Sequence, residues 1–163
     1  MIIVKNPGLL KYKNFQFRCA LGKLGIKKKR QEGDLITPKG KFKLTKIYYR
    51  SDRIKKIISE LKKIKIKKNM GWCDDSCSRH YNKQVKINKK VGCEKLYRSD
   101  NVYDIIAVLN YNLNPIIKGK GSAIFLHVAK KNYEKTQGCI ALKKNELLYL
   151  LSKIKKNTPI KIG

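Results

Sequence analysis

Acidic side chains are scarce in this chain: 11 Asp and Glu stand against 40 Lys and Arg, for a formal net charge of +29 over 163 residues. A field of that sign draws polyanions, with nucleic acid, anionic lipid and an acidic wall polymer as the candidates. Lys far outnumbers Arg, and Ile and Asn are abundant as well. A compositional bias that puts Lys wherever a solvated residue is needed accounts for the same excess, and both readings stand. Long apolar runs are also missing. None approaches the roughly 20 residues of a membrane-crossing helix, so no transmembrane segment is expected. The opening stretch, Met1 to Gly8, reads as a short strand and a turn and lacks the apolar core of a secretory signal, so no export signal is expected in the chain as given. Internal repeats and Ser/Gly linkers are absent, which favours one domain over residues 1–163. With 42 % hydrophobic residues the chain is no disordered polymer, despite 31 % charged residues.

Cysteine is present in an odd number: Cys19, Cys73, Cys77, Cys93 and Cys139. At least one thiol therefore stays outside any internal pairing. A chain with a core of this size does not need a disulfide framework.

Hydrophobic periodicity gives a coarse outline. Phe15–Leu21 alternates as a half-buried strand does, with Cys19 an inert core thiol. Residues 33–40 carry turn chemistry, and Phe42–Tyr49 reads as a strand. Ile54, Ile57, Ile58, Leu61 and Ile64 recur at helical spacing, so a helix is expected over Ser51–Ile66, capped by Ser51-Asp52 and with a Lys-rich outer face. It is either docked by its apolar stripe or laid on a membrane surface, which would give peripheral membrane contact. Val102–Leu109 is nearly continuous in apolar residues, as a central strand is. Ser122–His127 is another buried strand. A second helix is expected from an Asn145 cap, with Leu147, Leu148, Leu150, Leu151 and Ile154 as its stripe. Pro159–Ile162 closes the chain as a strand. The expected class is mainly β: a β-sandwich or partly open barrel of mixed sheets, with one or two packed helices.

The most informative stretch is Ala123-Ile124-Phe125-Leu126-His127, followed after a loop by Thr136-Gln137-Gly138-Cys139-Ile140-Ala141-Leu142. One apolar strand delivers an imidazole and the next apolar segment begins with a thiol. Neighbouring strands lie about 4.8 Å apart, so such a pair comes within reach. An imidazole beside a thiol makes an activated nucleophile, since the thiolate is the attacking species. Gly138 lets a carbonyl approach the backbone, and the amides around Gly138 and Cys139 are candidates for an oxyanion hole. Thr136 can hydrogen-bond beside them. The bland alternative is a small buried Cys and a satisfied His, and spacing alone leaves it open.

These residues resemble the active-site motif of the L,D-transpeptidase catalytic domain, the YkuD-type family. Glu32 to Phe42, with its Gly33-Asp34 and Thr37-Pro38-Lys39-Gly40, resembles the family's hairpin. Gly71-Trp72-Cys73-Asp74-Asp75 followed by Tyr81-Asn82 resembles a segment of small bacterial members. Gln137 and Ala141 stand where many members have His, and Arg or Asn. The resemblance implies a peptidoglycan enzyme with Cys139 as nucleophile, His127 as base and the Val128 carbonyl orienting the imidazole. It implies no metal or organic cofactor. The implied partners are peptidoglycan stem peptides, and a monomer in the cell envelope or periplasm is expected from the resemblance, with the cytoplasm as the alternative that the missing export signal leaves open.

Trp72, Asp74, Asp75, Tyr81 and Asn82 form a second cluster. An aromatic beside two carboxylates suits a peptide stem, while a loop pinned by Asx hydrogen bonds explains the same residues. Cys73, Cys77, His80 and Cys93 offer a rival from another class: Cys-x3-Cys-x2-His plus a fourth thiol as a zinc site in a basic nucleic-acid-binding module. No RNA-recognition signature or other reading element accompanies it, so specific nucleic-acid recognition is not expected.

Overall fold

The computed structural model describes residues 1–87 and 92–163. Along the chain, β1 (Ile2–Lys5), β2 (Leu9–Tyr12) and β3 (Phe15–Arg18) form a meander. Two short strands, β4 (Ile26–Lys27) and β5 (Thr37–Pro38), pair in parallel. The long β6 (Gly40–Tyr49) and β7 (Lys62–Lys65) follow. A separate small sheet holds β8 (Met70–Cys73), β9 (Gln84–Lys86) and β10 (Cys93–Lys95), with β8 in the middle. The remaining strands are β11 (Ile105–Leu109), β12 (Phe125–Val128), β13 (Ile140–Leu142) and β14 (Pro159–Ile162), and helix α1 (Lys144–Lys153) lies between the last two.

The main sheet runs β13-β12-β11-β6-β14-β1-β2-β3, with β7 beside β6. Its two ends meet. Ala20, just past β3, exchanges backbone hydrogen bonds with Ala141 of β13 at 2.8 and 3.0 Å. The result is a nearly closed mixed sheet of the mainly β class that the sequence indicates.

β11 explains why the sheet sits where it does. Every residue of the strand is buried. Ile105, Ala107 and Leu109 pack into a core that α1 covers with Leu147, Leu150 and Leu151. Ile106 and Val108 face the other way, into a second core with Tyr48, Trp72, Leu96, Tyr103 and Phe125. The alternation of side chains along a strand makes this division. The small sheet β8–β10 roofs the second core by inserting Trp72. That layer receives the candidate site.

Two sequence expectations need correction. Ser51–Ile66 is not a helix: a single turn at Arg50–Ile54 leads through irregular chain into β7, which pairs in parallel with β6 from Lys46↔Lys62 to Tyr49↔Lys65. The helical spacing of isoleucines here arises because they serve two cores. Ile54, Ile57 and Leu61 enter the first, while Ile64 and Ile66 reach the second. β14 covers β6 only over Gly40–Lys43, so the rest of that edge is open to β7, and β-branched residues suit it. Ile58 is left 61 % exposed. The second correction is the start of α1. Lys143 is its N-cap, with no side-chain capping bond, and Asn145 lies within the first turn. β13 ends at Leu142, so the chain turns into the helix earlier than an Asn145 cap allows.

Candidate active site

His127 is the third residue of β12. Leu126 and Val128 on either side enter the helix-covered core, so His127 faces the second layer with Phe125. β12 pairs in parallel with β13, and His127 is opposite Ala141. Cys139 comes two residues before Ala141 and so falls on the same face as His127. Both line one cavity of about 540 Å³ between the main sheet and the small sheet.

His127 Nδ1 lies 2.9 Å from the Val128 carbonyl oxygen. A carbonyl can only accept, so Nδ1 carries the proton and Nε2 keeps its lone pair. The Tyr103 ring stands edge-on to the imidazole at 5.5 Å between centroids. Burial pushes the His127 pKa down to about 4, opposed in part by the Val128 bond. Burial likewise pushes the Cys139 thiol up to about 12, and the nearby Glu94 carboxylate adds to it. The thiol donates to the Ala123 carbonyl at 3.1 Å, and its sulfur accepts the Phe125 N–H at 3.3 Å. Among the described residues no hydrogen bond links Sγ to the imidazole. Burial thus favours a neutral thiol beside a neutral imidazole at rest, which suits His127 acting as the base that removes the thiol proton. Such a pair can transfer its proton as the sulfur attacks.

The turn before Cys139 is tied to itself. Thr136 Oγ1 donates to the Cys139 carbonyl at 2.6 Å and accepts the Gly138 N–H at 3.1 Å. The Gly138 amide is thus engaged at rest, while the Cys139 N–H has no partner among the described residues. Gly138 has φ +141°, and a Cβ there would stand 2.9 Å from the Ile36 carbonyl oxygen. The hairpin that holds Ile36 is fixed by Asp34, which accepts the backbone N–H groups of Arg30, Gln31 and Ile36 and pairs with the buried Lys29. These bonds hold the Asp34 carboxyl below its usual range against the opposing effect of burial.

Of the second cluster, only Asp74 reaches the cavity. Trp72, Tyr81 and Asn82 are buried and bind one another's surroundings: the Trp72 indole donates to Asn82 Oδ1 at 2.9 Å, and Tyr81 bonds Glu32 and accepts the Gly121 N–H at 3.0 Å. Asp75 caps its own loop by accepting the Cys77 N–H at 2.9 Å. The sequence reading missed Glu32, Glu94, Arg98 and Tyr103. Glu94 accepts the Tyr103 hydroxyl at 2.5 Å, and burial raises its pKa. Arg98 is held by a two-pronged bond to Asp100 at 2.9 and 2.5 Å. The available signal was an acidic residue in a strand of a very basic chain. The four rival zinc ligands do not converge. Cys73 and Cys93 are opposed across β8 and β10, Cys77 is exposed, and His80 is beside Arg79 at 3.1 Å. Among the described residues no group of three or more His, Cys, Asp or Glu is placed to hold a metal.

The imidazole on β12 and the thiol just ahead of β13 open into one cavity, an arrangement compatible with cysteine acyl transfer. Residues 2–162 match the family of L,D-transpeptidase catalytic domains, and the chain belongs to that family. No curated protein matches it significantly. No helix is long and apolar enough to cross a membrane among the described residues.

Proposed function

We propose that this protein is a peptidoglycan L,D-transpeptidase that forms an acyl-enzyme on Cys139. The supporting observation is the Nδ1–Val128 bond, which leaves Nε2 of His127 as a base in the cavity that holds the thiol. Attack proceeds on the diaminopimelate carbonyl of a tetrapeptide stem. As sulfur bonds to carbon, His127 takes the thiol proton, and negative charge collects on the carbonyl oxygen. The Cys139 N–H, which has no partner among the described residues, is the amide offered to that oxygen, and the Gly138 N–H joins it if Thr136 Oγ1 releases it. Collapse of the intermediate expels D-alanine, whose nitrogen receives the proton from His127. An amine from a second stem, a free D-amino acid or water then resolves the thioester, with His127 again as base.

The cavity wall fits a zwitterionic amino-acid end. Four of the chain's 11 acidic residues, Glu32, Asp74, Glu94 and Glu134, line it, although the net charge is +29. Burial raises the Asp74 pKa, and its neighbours Glu32 and Asp75 add to the shift. An entering ammonium relieves that repulsion, while Arg98 and Lys130 offer partners to a carboxylate. The test is mass spectrometry after incubation with disaccharide-tetrapeptide. An adduct of the stem less D-alanine, mapped to Cys139, is the expected result. An unmodified Cys139 in an enzyme that turns the substrate over would refute the proposal.

A further inference from the structure

Cys73 and Cys93 are opposed in register across the antiparallel pair β8–β10. The hydrogen-bond pattern says which kind of position they occupy. Leu96 N–H donates to the Met70 carbonyl at 3.0 Å, so Met70 and Leu96 are a hydrogen-bonded pair. Such pairs alternate along an antiparallel ladder, which makes Gly71 with Lys95 open, Trp72 with Glu94 bonded, and Cys73 with Cys93 open again. The other side of β8 agrees. Cys73 sends its N–H to Lys83 at 2.9 Å and receives the Asn82 N–H at 2.8 Å, so both its backbone groups point away from Cys93. At an open position opposed Cα atoms are about 4.5 Å apart and the side chains share a face. A disulfide needs Cα atoms roughly 4.4–6.8 Å apart. Cys93 Sγ now leans over Gly71, 2.7 Å from where a Cβ there would stand. Glycine at 71 leaves it that room, and a rotation about χ1 carries the sulfur towards Cys73.

We infer that Cys73 and Cys93 are a dithiol that closes to a cross-strand disulfide, pinning β8 to β10 beside the catalytic cavity. Cys73 is fully buried and Cys93 is half-buried, so Cys93 is the thiol that an outside reagent reaches. The oxidant is another disulfide, either a small-molecule one or that of a thiol–disulfide oxidoreductase. The Cys93 thiolate attacks one of its sulfurs and expels the other as a thiolate, leaving a mixed disulfide. The Cys73 thiolate then attacks Cys93 Sγ and expels the second thiolate. Two protein thiols lose two protons and two electrons, and the oxidant disulfide becomes two thiols. The residues next to the pair, Asp74 and Glu94, both line the cavity, so the bond fixes the spacing of two of its carboxylates.

The experiment uses the full chain, first reduced and then incubated with oxidised glutathione. Thiols are counted by maleimide labelling in denaturant, and the non-reduced digest is mapped by mass spectrometry. The expected result is the loss of two of the five thiols, a mass decrease of about 2 Da and a linked pair of peptides holding Cys73 and Cys93. Cys77→Ser should behave as wild type. Cys73→Ser and Cys93→Ser should each lose the intramolecular link, with Cys73→Ser trapping glutathione on Cys93. Five labelled thiols after oxidation would overturn the inference. So would chains joined through Cys77 with no Cys73–Cys93 peptide.

Discussion

The carbonyl of Ala123 accepts the Cys139 thiol at 3.1 Å, and the Ala123 amide is itself held by Asn82 Oδ1 at 3.1 Å. Ala123 sits at φ +51°, a conformation that costs a non-glycine residue about 1 kcal/mol. Asn82 supplies the hold. Its Oδ1 also accepts the Trp72 indole, and its amide nitrogen donates to Asn112 at 2.6 Å and Tyr111 at 3.3 Å. The side chain is 2 % exposed, so none of these bonds is replaced by water. Asn82→Ala should therefore lower stability by roughly 3 kcal/mol in urea titration, since it strands a buried indole donor and amide partners. At a temperature where the variant is still folded, acylation of Cys139 should slow while substrate affinity changes less. An unchanged acylation rate would mean that Ala123 does not position the thiol.

Cys139→Ser should abolish turnover, because a hydroxyl ionises far less readily than a thiol and the anion is the nucleophile. His127→Ala should cut acylation by roughly 10²–10⁴-fold, the usual worth of a positioned base. Both residues are buried, at 9 % and 6 % exposure, so circular dichroism of each variant belongs with the kinetics. Cys19→Ser and Cys77→Ser should leave the chemistry in place. A carbapenem, whose strained ring carbonyl presents the same kind of acyl donor, should label the wild type and these two variants but not Cys139→Ser. Intact mass reads all of these outcomes, and full turnover by a folded Cys139→Ser enzyme would exclude Cys139 as nucleophile.

Much of this was legible because it lies in local pattern. The unbroken apolar run at Ile105–Leu109 marks a strand buried on both faces, and the His127 strand leads directly to the Cys139 segment. The failures come from information that the pattern does not carry. Ile54 to Ile66 mimics one helical stripe because its residues divide between two cores, and only the open edge of β6 decides the outcome. Trp72 and Asn82 look like binding residues from their chemistry, yet they meet each other under the cavity. Glu94 and Arg98 reach the site only because β10 folds over the second core, a contact with no local signature.

Glu94→Gln tests the carboxylates of the cavity wall, which also carries Lys23, Lys29, Arg98, Lys130 and Lys135. Glu94 faces the cavity, receives the Tyr103 hydroxyl and adds to the upward shift of the Cys139 thiol. Glutamine keeps a carbonyl oxygen for Tyr103 and removes the charge. If the wall receives an ammonium, the variant should lose transfer to amine acceptors by roughly 10-fold, the worth of one charge-assisted hydrogen bond of about 1.5 kcal/mol. Hydrolysis of the thioester should fall less, since water needs no ammonium site. The ratio of exchange to hydrolysis products, measured with a free D-amino acid as acceptor, reports the difference. An equal loss in both would assign Glu94 to the donor side or to the thiol itself.

His127 also ties stability to pH. Burial, the largest influence, lowers its pKa from 6.5 to about 4. The unfolded chain takes up this proton near pH 6.5, and the folded chain only near pH 4. Between those values the unfolded state binds more protons, so stability falls as the pH is lowered. The contribution is fully present above pH 6.5, and below pH 4 the ring causes no further loss. At 1.36 kcal/mol per pH unit, the drop from pH 7 to pH 4.5 is roughly 2 kcal/mol. Urea denaturation should show that drop in the wild type and a smaller one in His127→Gln, whose side chain does not titrate. The same ionisation governs activity. A base that stays neutral down to about pH 4 places the acid limb of kcat/KM there, so the enzyme should lose little activity between pH 7 and pH 5. Iodoacetamide should label Cys139 slowly at pH 7, with a rate that still climbs at pH 9, because the thiol is held up at about 12. An acid limb near pH 6.5 together with fast labelling at pH 7 would instead indicate a preformed thiolate–imidazolium pair.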